Sequence, residues 1–289
     1  MMKMIKPVVN ISKVMEPYNT VIVGFRGVVT EGNNVKQEAV SALVNMKKAG
    51  KRIVLVSNSP LRVEQIARFL HANKVPLAVF DAIVSAGEIL HYRFKSRKGD
   101  FAAVGNAYFQ MGSRKDTGIF CGLDYFRVDS LAKADFIYMS EVAKTDDLLE
   151  NYLPQLEHAA SLGMPFVCAG NDTSSYMDGQ ICLSTGAFAE QYAVLGGKII
   201  TVGKPDVEIL SYATEELPDF DKEKTLLIGD NLATDIKGAN LLGISSALVS
   251  KGVHVNFLGE GYIPDVAKTR ELATNFDAYP DFIISNLRW

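Results

Sequence analysis

The chain has 289 residues, 48% of them hydrophobic and 22% charged, with 30 Lys and Arg against 33 Asp and Glu for a net charge of −3. This balance excludes a disordered chain, which needs low hydrophobicity and high net charge; 23 Gly and 10 Pro exclude a collagen-like or low-complexity one. At roughly 100–200 residues per domain the length predicts one large domain or two smaller ones, burying about 75% of the unfolded surface with no need of a disulfide or metal staple.

The charges also exclude the basic face of a nucleic-acid binder. The densest run, Arg93, Lys95, Arg97 and Lys98, is short and reads as a solvated helix end. Cys121, Cys168 and Cys182 are odd in number and lack C-x-x-C spacing, which predicts a reducing compartment, no zinc site and a buried structural thiol at each position. Lys13 and Glu16 interrupt the N-terminal stretch before a signal-peptide h-region can form, and no 18-residue apolar run could span a membrane. The expected location is the cytoplasm.

Thr20–Val23 is the first predicted strand, running into Gly24-Phe25-Arg26-Gly27. A helix follows over Lys36–Ala49, with Val40, Leu43, Val44 and Met46 as its buried stripe and Gly50 as C-cap. Arg52–Val56 is the next strand. It leads into Ser57-Asn58-Ser59-Pro60, where Ser59 is the expected N-cap and Pro60 the first residue of a helix with Val63, Ile66, Ala67 and Leu70 on one face. The middle third carries apolar runs at Phe101–Val104, Ala134–Met139 and Pro165–Cys168 and a helix around Asp146–Leu162. Lys224–Ile228 is then a strand closed by Gly229-Asp230; a helix over Ala233–Leu242 ends at Gly243, and Ser246–Val249 and Phe282–Ile284 are the last strands.

Apolar runs that do not alternate are buried on both faces, the mark of a parallel sheet between helix layers. The fold class is therefore α/β, doubly wound. The strand-turn-helix pattern of the first 84 residues resumes only after Lys198, so residues 1–98 and 197–289 are expected to form a discontinuous core and 99–196 an inserted α/β unit.

Ligands bind at the carboxyl ends of such strands. Those ends carry Gly24–Gly27, Ser57 and Asn58, Gly203-Lys204-Pro205, and Gly229-Asp230 with Asp235 five residues on. Each piece alone has a plain structural reading: a turn, an N-cap, a surface lysine. Together, hydroxyl and amide donors, one lysine and two acids on one rim suit a phosphate with a divalent cation.

These residues resemble the haloacid dehalogenase (HAD) superfamily and, within it, the class IIA, NagD-like phosphatases. The resemblance lies in Val54-Leu-Val-Ser-Asn58, Gly203-Lys-Pro205 and Leu227-Ile-Gly-Asp-Asn-Leu-Ala-Thr-Asp235, the superfamily's second, third and fourth motifs. Pro165-Phe-Val-Cys-Ala-Gly-Asn-Asp172 and the stretch from Gly243 to Val253 point to class IIA. The resemblance implies a Rossmann-like core with a cap inserted between the second and third motifs. It also implies phosphate binding by Ser57 and Lys204, with Asn58 as a backbone-positioning or substrate residue. Asp230 and Asp235 would be the Mg²⁺ carboxylates, and Asn171 and Asp172 would face the substrate from the cap.

The family's first motif, Asp-x-Asp-Gly, is altered. Gly24 stands at the nucleophile position and Arg26 at the acid/base position, with flanks that align without a gap; the nearest acid, Glu31, is seven residues past Gly24. Glycine cannot attack phosphorus, and the lost carboxylate predicts a weak or absent Mg²⁺ site. Arg26 is expected to bind an anion in place of the cation, or to close the site by pairing with Asp230. The leading reading is a HAD-like protein impaired or inactive as a phosphatase that still binds a small phosphorylated molecule or anion. One alternative is an active Mg²⁺-dependent phosphomonoester hydrolase using metal-activated water. Another is a binding protein that forms a homodimer through its cap. Gly24-Phe-Arg-Gly27 lacks the G-x-G-x-x-G spacing of a dinucleotide site.

Overall fold

A computed structural model describes residues 4–177, 179–215, 217 and 219–289. Its seven-stranded sheet has the order Lys6–Pro7, Phe282–Ile284, Ser245–Val249, Thr225–Gly229, Thr20–Gly24, Arg52–Ser57 and Ala82–Ser85. Every neighbouring pair is parallel. Side chains alternate across a strand, and both faces of this sheet are apolar. Val21, Val23, Ile53, Leu55, Leu226 and Ile228 enter one core cluster with the helix Gln37–Lys48, whereas Ile22, Val54, Val56 and Leu227 enter another. The doubly wound α/β class follows from that two-sided burial. The chain leaves Thr20–Gly24 for Arg52–Ser57 on one side, while Thr225–Gly229 lies on the other. The crevice beyond Gly24 and Gly229 is thus where strand order reverses, the place such sheets bind ligands.

A second, five-stranded parallel sheet has the order Ile199–Val202, Phe166–Ala169, Phe136–Met139, Ala107–Met111 and Phe126–Val128. Its outermost strand, Ile199–Val202, lies beyond the expected boundary at residue 196. The helices Leu153–Ser161 and Thr185–Val194 pack on this sheet through Leu156, Ala159, Phe188 and Tyr192. An antiparallel hairpin, Ser174–Met177 with Gln180–Leu183, is carried between its strands Phe166–Ala169 and Ile199–Val202.

The two sheets share one apolar cluster. Ile22, Val54 and Val56 of the first meet Phe136, Tyr138, Val167 and Val202 of the second, together with Phe94 of the helix Ala86–Ser96. The Phe94 ring has Phe101, Phe120 and Tyr125 each at 4.9 Å and Phe136 at 5.5 Å.

Several expected elements differ. Phe101–Val104 is no strand: a 3₁₀ turn over Gly99–Ala103 buries Phe101 and Val104, three residues apart, and exposes the two alanines between them. The helix expected from Asp146 begins at Leu153, because Pro154 is tolerated only in a first turn. The helix expected from Pro60 begins at Val63. Ser59 is a turn residue whose Oγ accepts from the Leu61 N–H, and Glu88 receives the Val63 N–H instead. Cys168 and Cys182 are buried as expected, with burial pushing the Cys168 thiol up to about 12, but Cys121 is exposed in the turn after Gly118. Among the described residues no helix is long and apolar enough to cross a membrane.

Phe94→Ala empties the centre of the shared cluster and is expected to destabilise the protein by about 3–5 kcal/mol. Because both sheets contribute to that cluster, urea unfolding followed by fluorescence and by circular dichroism should still give one coincident transition; two separated transitions would show that the sheets unfold independently.

Candidate functional site

A cavity of 370 Å³ lies at the carboxyl ends of the central strands, lined from the first sheet by Arg26, Ser57, Asp230 and Asp235, from the loop after Ile199–Val202 of the second sheet by Lys204, and from the middle unit by Glu141 and Asp172. Its floor is a buried ion pair. Lys204 Nζ donates to Asp235 Oδ1 at 2.6 Å, and the two side chains are 6% and 4% exposed. Asp235 Oδ2 accepts the main-chain N–H groups of Asp230 and Asn231, each at 3.1 Å. Burial opposes the charge on Lys204, but Asp235, Asp172 and Asp230 more than offset it and hold the amine above its ordinary value.

The predicted Ser57 lies at this floor. Its Oγ accepts the Ser59 N–H at 3.0 Å, so its own proton can be donated into the cavity. Asn58 is a backbone-positioning residue: Oδ1 accepts the Lys204 N–H at 2.7 Å, and Nδ2 donates to the Lys204 carbonyl and to Asp172 Oδ2. Asn171 Nδ2 donates to the Gly203 and Lys204 carbonyls, both at 3.2 Å. Asp172 Oδ1 accepts from Asn231 Nδ2 and Thr234 Oγ1 at 2.8 and 2.7 Å. Asp172 is therefore bonded to the loops after Arg52–Ser57 and Thr225–Gly229 of the first sheet, which fixes one unit over the other, whereas the Asn171 bonds stay with the loop after Ile199–Val202 of the second sheet.

Position 24 is open. A Cβ on Gly24 would meet Val28 Cγ2, the Ile228 carbonyl and Asp235 Oδ1 at 3.4, 3.5 and 3.7 Å, ordinary contact distances. The backbone therefore does not require glycine there. Gly27 is different. Its φ is +78°, and a Cβ would fall 2.0 Å from the Asp230 carboxylate, so only glycine lets Asp230 lie against this turn. Gly252 closes on Asp230 from the other side, where a Cβ would fall at 2.4 Å. Asp230 Oδ2 accepts the Val253 N–H at 2.9 Å. Burial and then the neighbouring Asp235 push the Asp230 carboxyl up to about 7, against the Val253 bond and the cation Lys36.

Arg26 does not pair with Asp230, contrary to one sequence expectation. Its guanidinium bonds Glu141, at the end of the strand Phe136–Met139, across the mouth of the cavity, with both side chains about one-third exposed. The physical reason is that Asp230 is walled in by Gly27 and Gly252, whereas Glu141 faces Arg26 from above. Glu31, the acid nearest to position 24 in sequence, lines a separate cavity.

Sequence reasoning missed Glu141, although the strand-end rule applied to Ala134–Met139 would have pointed to it. It also missed Lys36, read only as the start of a helix. The Lys36 ammonium donates to the Gly27 and Lys251 carbonyls at 2.9 and 3.2 Å, and its side chain is 14% exposed. Burial draws its pKa below the usual lysine value while Asp230, Glu31 and Glu38 pull the other way. His254, too, was unplaced: its Nε2 accepts the Leu232 N–H at 3.0 Å, and burial lowers the imidazole to about 4.

Magnesium, which the resemblance implies, requires free oxygen ligands. Gly24 offers no carboxylate, Asp235 is committed to Lys204 and two amides, and Asp230 alone is left with one oxygen already bonded. Among the described residues no group of three or more His, Cys, Asp or Glu is placed to hold a metal ion. The residues present do not fit a resident divalent cation.

Comparison with known proteins agrees with this architecture. A HAD-hydrolase-like family model matches residues 201–288. A hydrolase of the haloacid dehalogenase-like family from Brucella suis 1330 superposes with a TM-score of 0.80 at 25% identity, over 96% of this chain and 98% of that one. The chain resembles the HAD superfamily in fold and, over residues 201–288, in sequence. A second solved structure, described as a possible sugar phosphatase of the superfamily from Cytophaga hutchinsonii, superposes with a TM-score of 0.75 at 18% identity over 99% and 98% of the two chains. The curated protein YfnB of Bacillus subtilis, described as a putative HAD-hydrolase, is 32% identical over 83 residues, 29% of this chain and only a third (33%) of its own length. The class IIA arrangement fits, with the five-stranded unit as cap.

Two buried groups set opposite pH dependences. The folded Asp230 keeps a proton that the unfolded chain releases, so its contribution to stability falls as pH rises from about 4 to about 7. His254 refuses a proton that the unfolded chain accepts, so its contribution is lost as pH falls from about 6.5 to about 4. Asp230→Asn keeps the acceptor for Val253 without the charge. In EDTA it is expected to melt above the wild type at pH 8, and the gap should close below pH 4; a gap that does not change with pH would refute this assignment.

Proposed function

We propose that this protein is a HAD-fold relative of small-molecule phosphatases that keeps the anion-binding pocket and lacks the covalent phosphatase step. The observation that carries the reading is position 24. Gly24 ends the central strand with no nucleophile, and Lys204, instead of facing a carboxylate there, is paired with Asp235. Arg26, at the acid/base position, is bonded to Glu141 across the mouth, and a guanidinium is no substitute for the carboxyl that would pass a proton to a leaving group.

What remains suits binding. The cavity volume of 370 Å³ falls within the range of small-molecule sites. At its floor the Ser57 hydroxyl and the Lys204 ammonium can meet phosphate oxygens, while Asn58 and Asn171 hold the Lys204 backbone in place. The ligand class is a small phosphorylated molecule or a comparable anion.

The test compares the wild type with a Gly24→Asp/Arg26→Asp double variant on a panel of phosphate monoesters with Mg²⁺. Position 24 accepts a Cβ at ordinary contact distances, and turnover is expected in the double variant alone. Wild-type turnover comparable to that of the variant, abolished by Asp230→Asn, would overturn the reading. In parallel, inorganic phosphate should raise the wild-type melting temperature and leave Lys204→Met unchanged.

A further inference from the structure

The residues that would hold a divalent cation are missing or committed, yet Asp230 is buried and needs a counter-charge. A cation held against the walls of this carboxylate comes from outside the family motifs. Lys36 reaches from the start of the helix Gln37–Lys48 to the Gly27 and Lys251 carbonyls, at 2.9 and 3.2 Å. Gly27 and Gly252, the residue after Lys251, are the two walls that close on the Asp230 carboxylate, at 2.0 and 2.4 Å from where their Cβ atoms would stand. The ammonium is thus fixed behind Asp230, on the side away from the cavity, where its two main-chain bonds and 14% exposure keep it from wandering. Among the described residues Asp230 lies beyond 4 Å ion-pair contact with this ammonium, so its interaction with Lys36 is one of charge at longer range. Glu31 lies 3.8 Å away and is one-third exposed, and Glu38 is bonded by Arg288 at 2.5 Å.

We propose that Lys36 is the resident cation of this pocket, neutralising Asp230 from behind so that a phosphate-type anion binds at Ser57 and Lys204 without a divalent metal. A fixed positive charge beside the single remaining carboxylate repels an incoming cation and lowers the electrostatic cost of bringing an anion to the same site. Arg26, the cation expected from sequence to take this part, is turned to the cap and held by Glu141. The phosphate arm of the proposal rests on the anion-binding reading above; the metal arm does not.

The test uses Mn²⁺ as the metal probe and inorganic phosphate as the anion probe, on the full chain with the wild type, Lys36→Gln and Lys36→Arg. Glutamine can still donate to the two carbonyls but carries no charge; arginine keeps the charge. In a paramagnetic-resonance titration without phosphate, Lys36→Gln is expected to bind Mn²⁺ about tenfold tighter than the wild type, and Lys36→Arg as weakly as the wild type. Equal Mn²⁺ affinity in the wild type and Lys36→Gln, or an arginine variant that behaves like the glutamine one, would overturn the proposal. By calorimetry, wild-type phosphate affinity should agree within about twofold in EDTA and in Mg²⁺, whereas Lys36→Gln should lose about tenfold in EDTA and recover in Mg²⁺. A wild-type phosphate affinity that depends on Mg²⁺ would also overturn it. Phosphate binding by none of the three proteins would instead refute the anion-binding reading and leave the Mn²⁺ titration to decide the role of Lys36. A native circular-dichroism spectrum for each variant confirms that charge, not folding, is being compared.

Discussion

Lys204 and Asp235 are almost wholly withdrawn from water, and the arrangement of the site follows from keeping them satisfied. Taking two such ions out of solvent carries a penalty of several kcal/mol each, offset only when the pair is close and the remaining polar positions are bonded. Here they are. Asp235 takes two main-chain amides with its second oxygen, and the Lys204 backbone is held by Asn58 and Asn171. The loops after four strands, from both sheets, are thereby drawn to one point. With a glycine at position 24, Lys204 has no carboxylate on the central strand, and Asp235 becomes its direct counter-ion.

That commitment propagates. Once Asp235 belongs to Lys204, Asp230 has no nearby partner in the cavity itself. It stays buried between two glycines, with a carboxyl pushed up to about 7 and one amide bond. The cap is tied to the same loops through Asp172, whose three side-chain donors all come from the core. The Arg26–Glu141 bond is of another kind. One-third exposed on both sides, such a pair contributes about 0–1 kcal/mol. Its effect is to direct the guanidinium toward the cap and away from Asp230, which matters for charge placement more than for stability.

The parallel sheet was legible because its strands are unbroken apolar runs; Val54-Leu-Val and Leu226-Leu-Ile bury both faces and leave no alternation to misread. Gly24, Ser57, Lys204 and Asp230 were legible because each stands at or just past the end of such a run, and Asp235 because it follows Asp230 by five residues; strand ends converge in this fold. What sequence could not supply was pairing across the cavity. Arg26 had two carboxylates within its reach in principle. The choice of Glu141 over Asp230 depends on the glycine walls, whose packing has no signature in spacing. Lys36 was hidden for a different reason: a lysine ahead of an amphipathic helix looks like a solvated start, and only tertiary structure shows its ammonium bonded to two carbonyls from distant segments. Phe101–Val104 misled because a buried-exposed-exposed-buried 3₁₀ turn and a short strand share the same four small or apolar letters.

Relative to the family pattern, a glycine and an arginine in place of two aspartates shift the site by three positive charges, two negatives lost and one positive gained. A total of −3 for the chain does not reveal such a change. Glu141 cancels the arginine at the mouth, and the lost nucleophile is absorbed by the Lys204–Asp235 pair at the floor. The remaining imbalance is local to Asp230, and a lysine bonded to two carbonyls addresses it from behind. A hard divalent ion would answer the same electrostatic need, but it demands several oxygens converging on one point, whereas an ammonium needs only three acceptors in rough tetrahedral array. With one free carboxylate oxygen remaining, the first requirement is not met, whereas an ammonium held by two carbonyls acts on Asp230 through its charge without being one of its contacts.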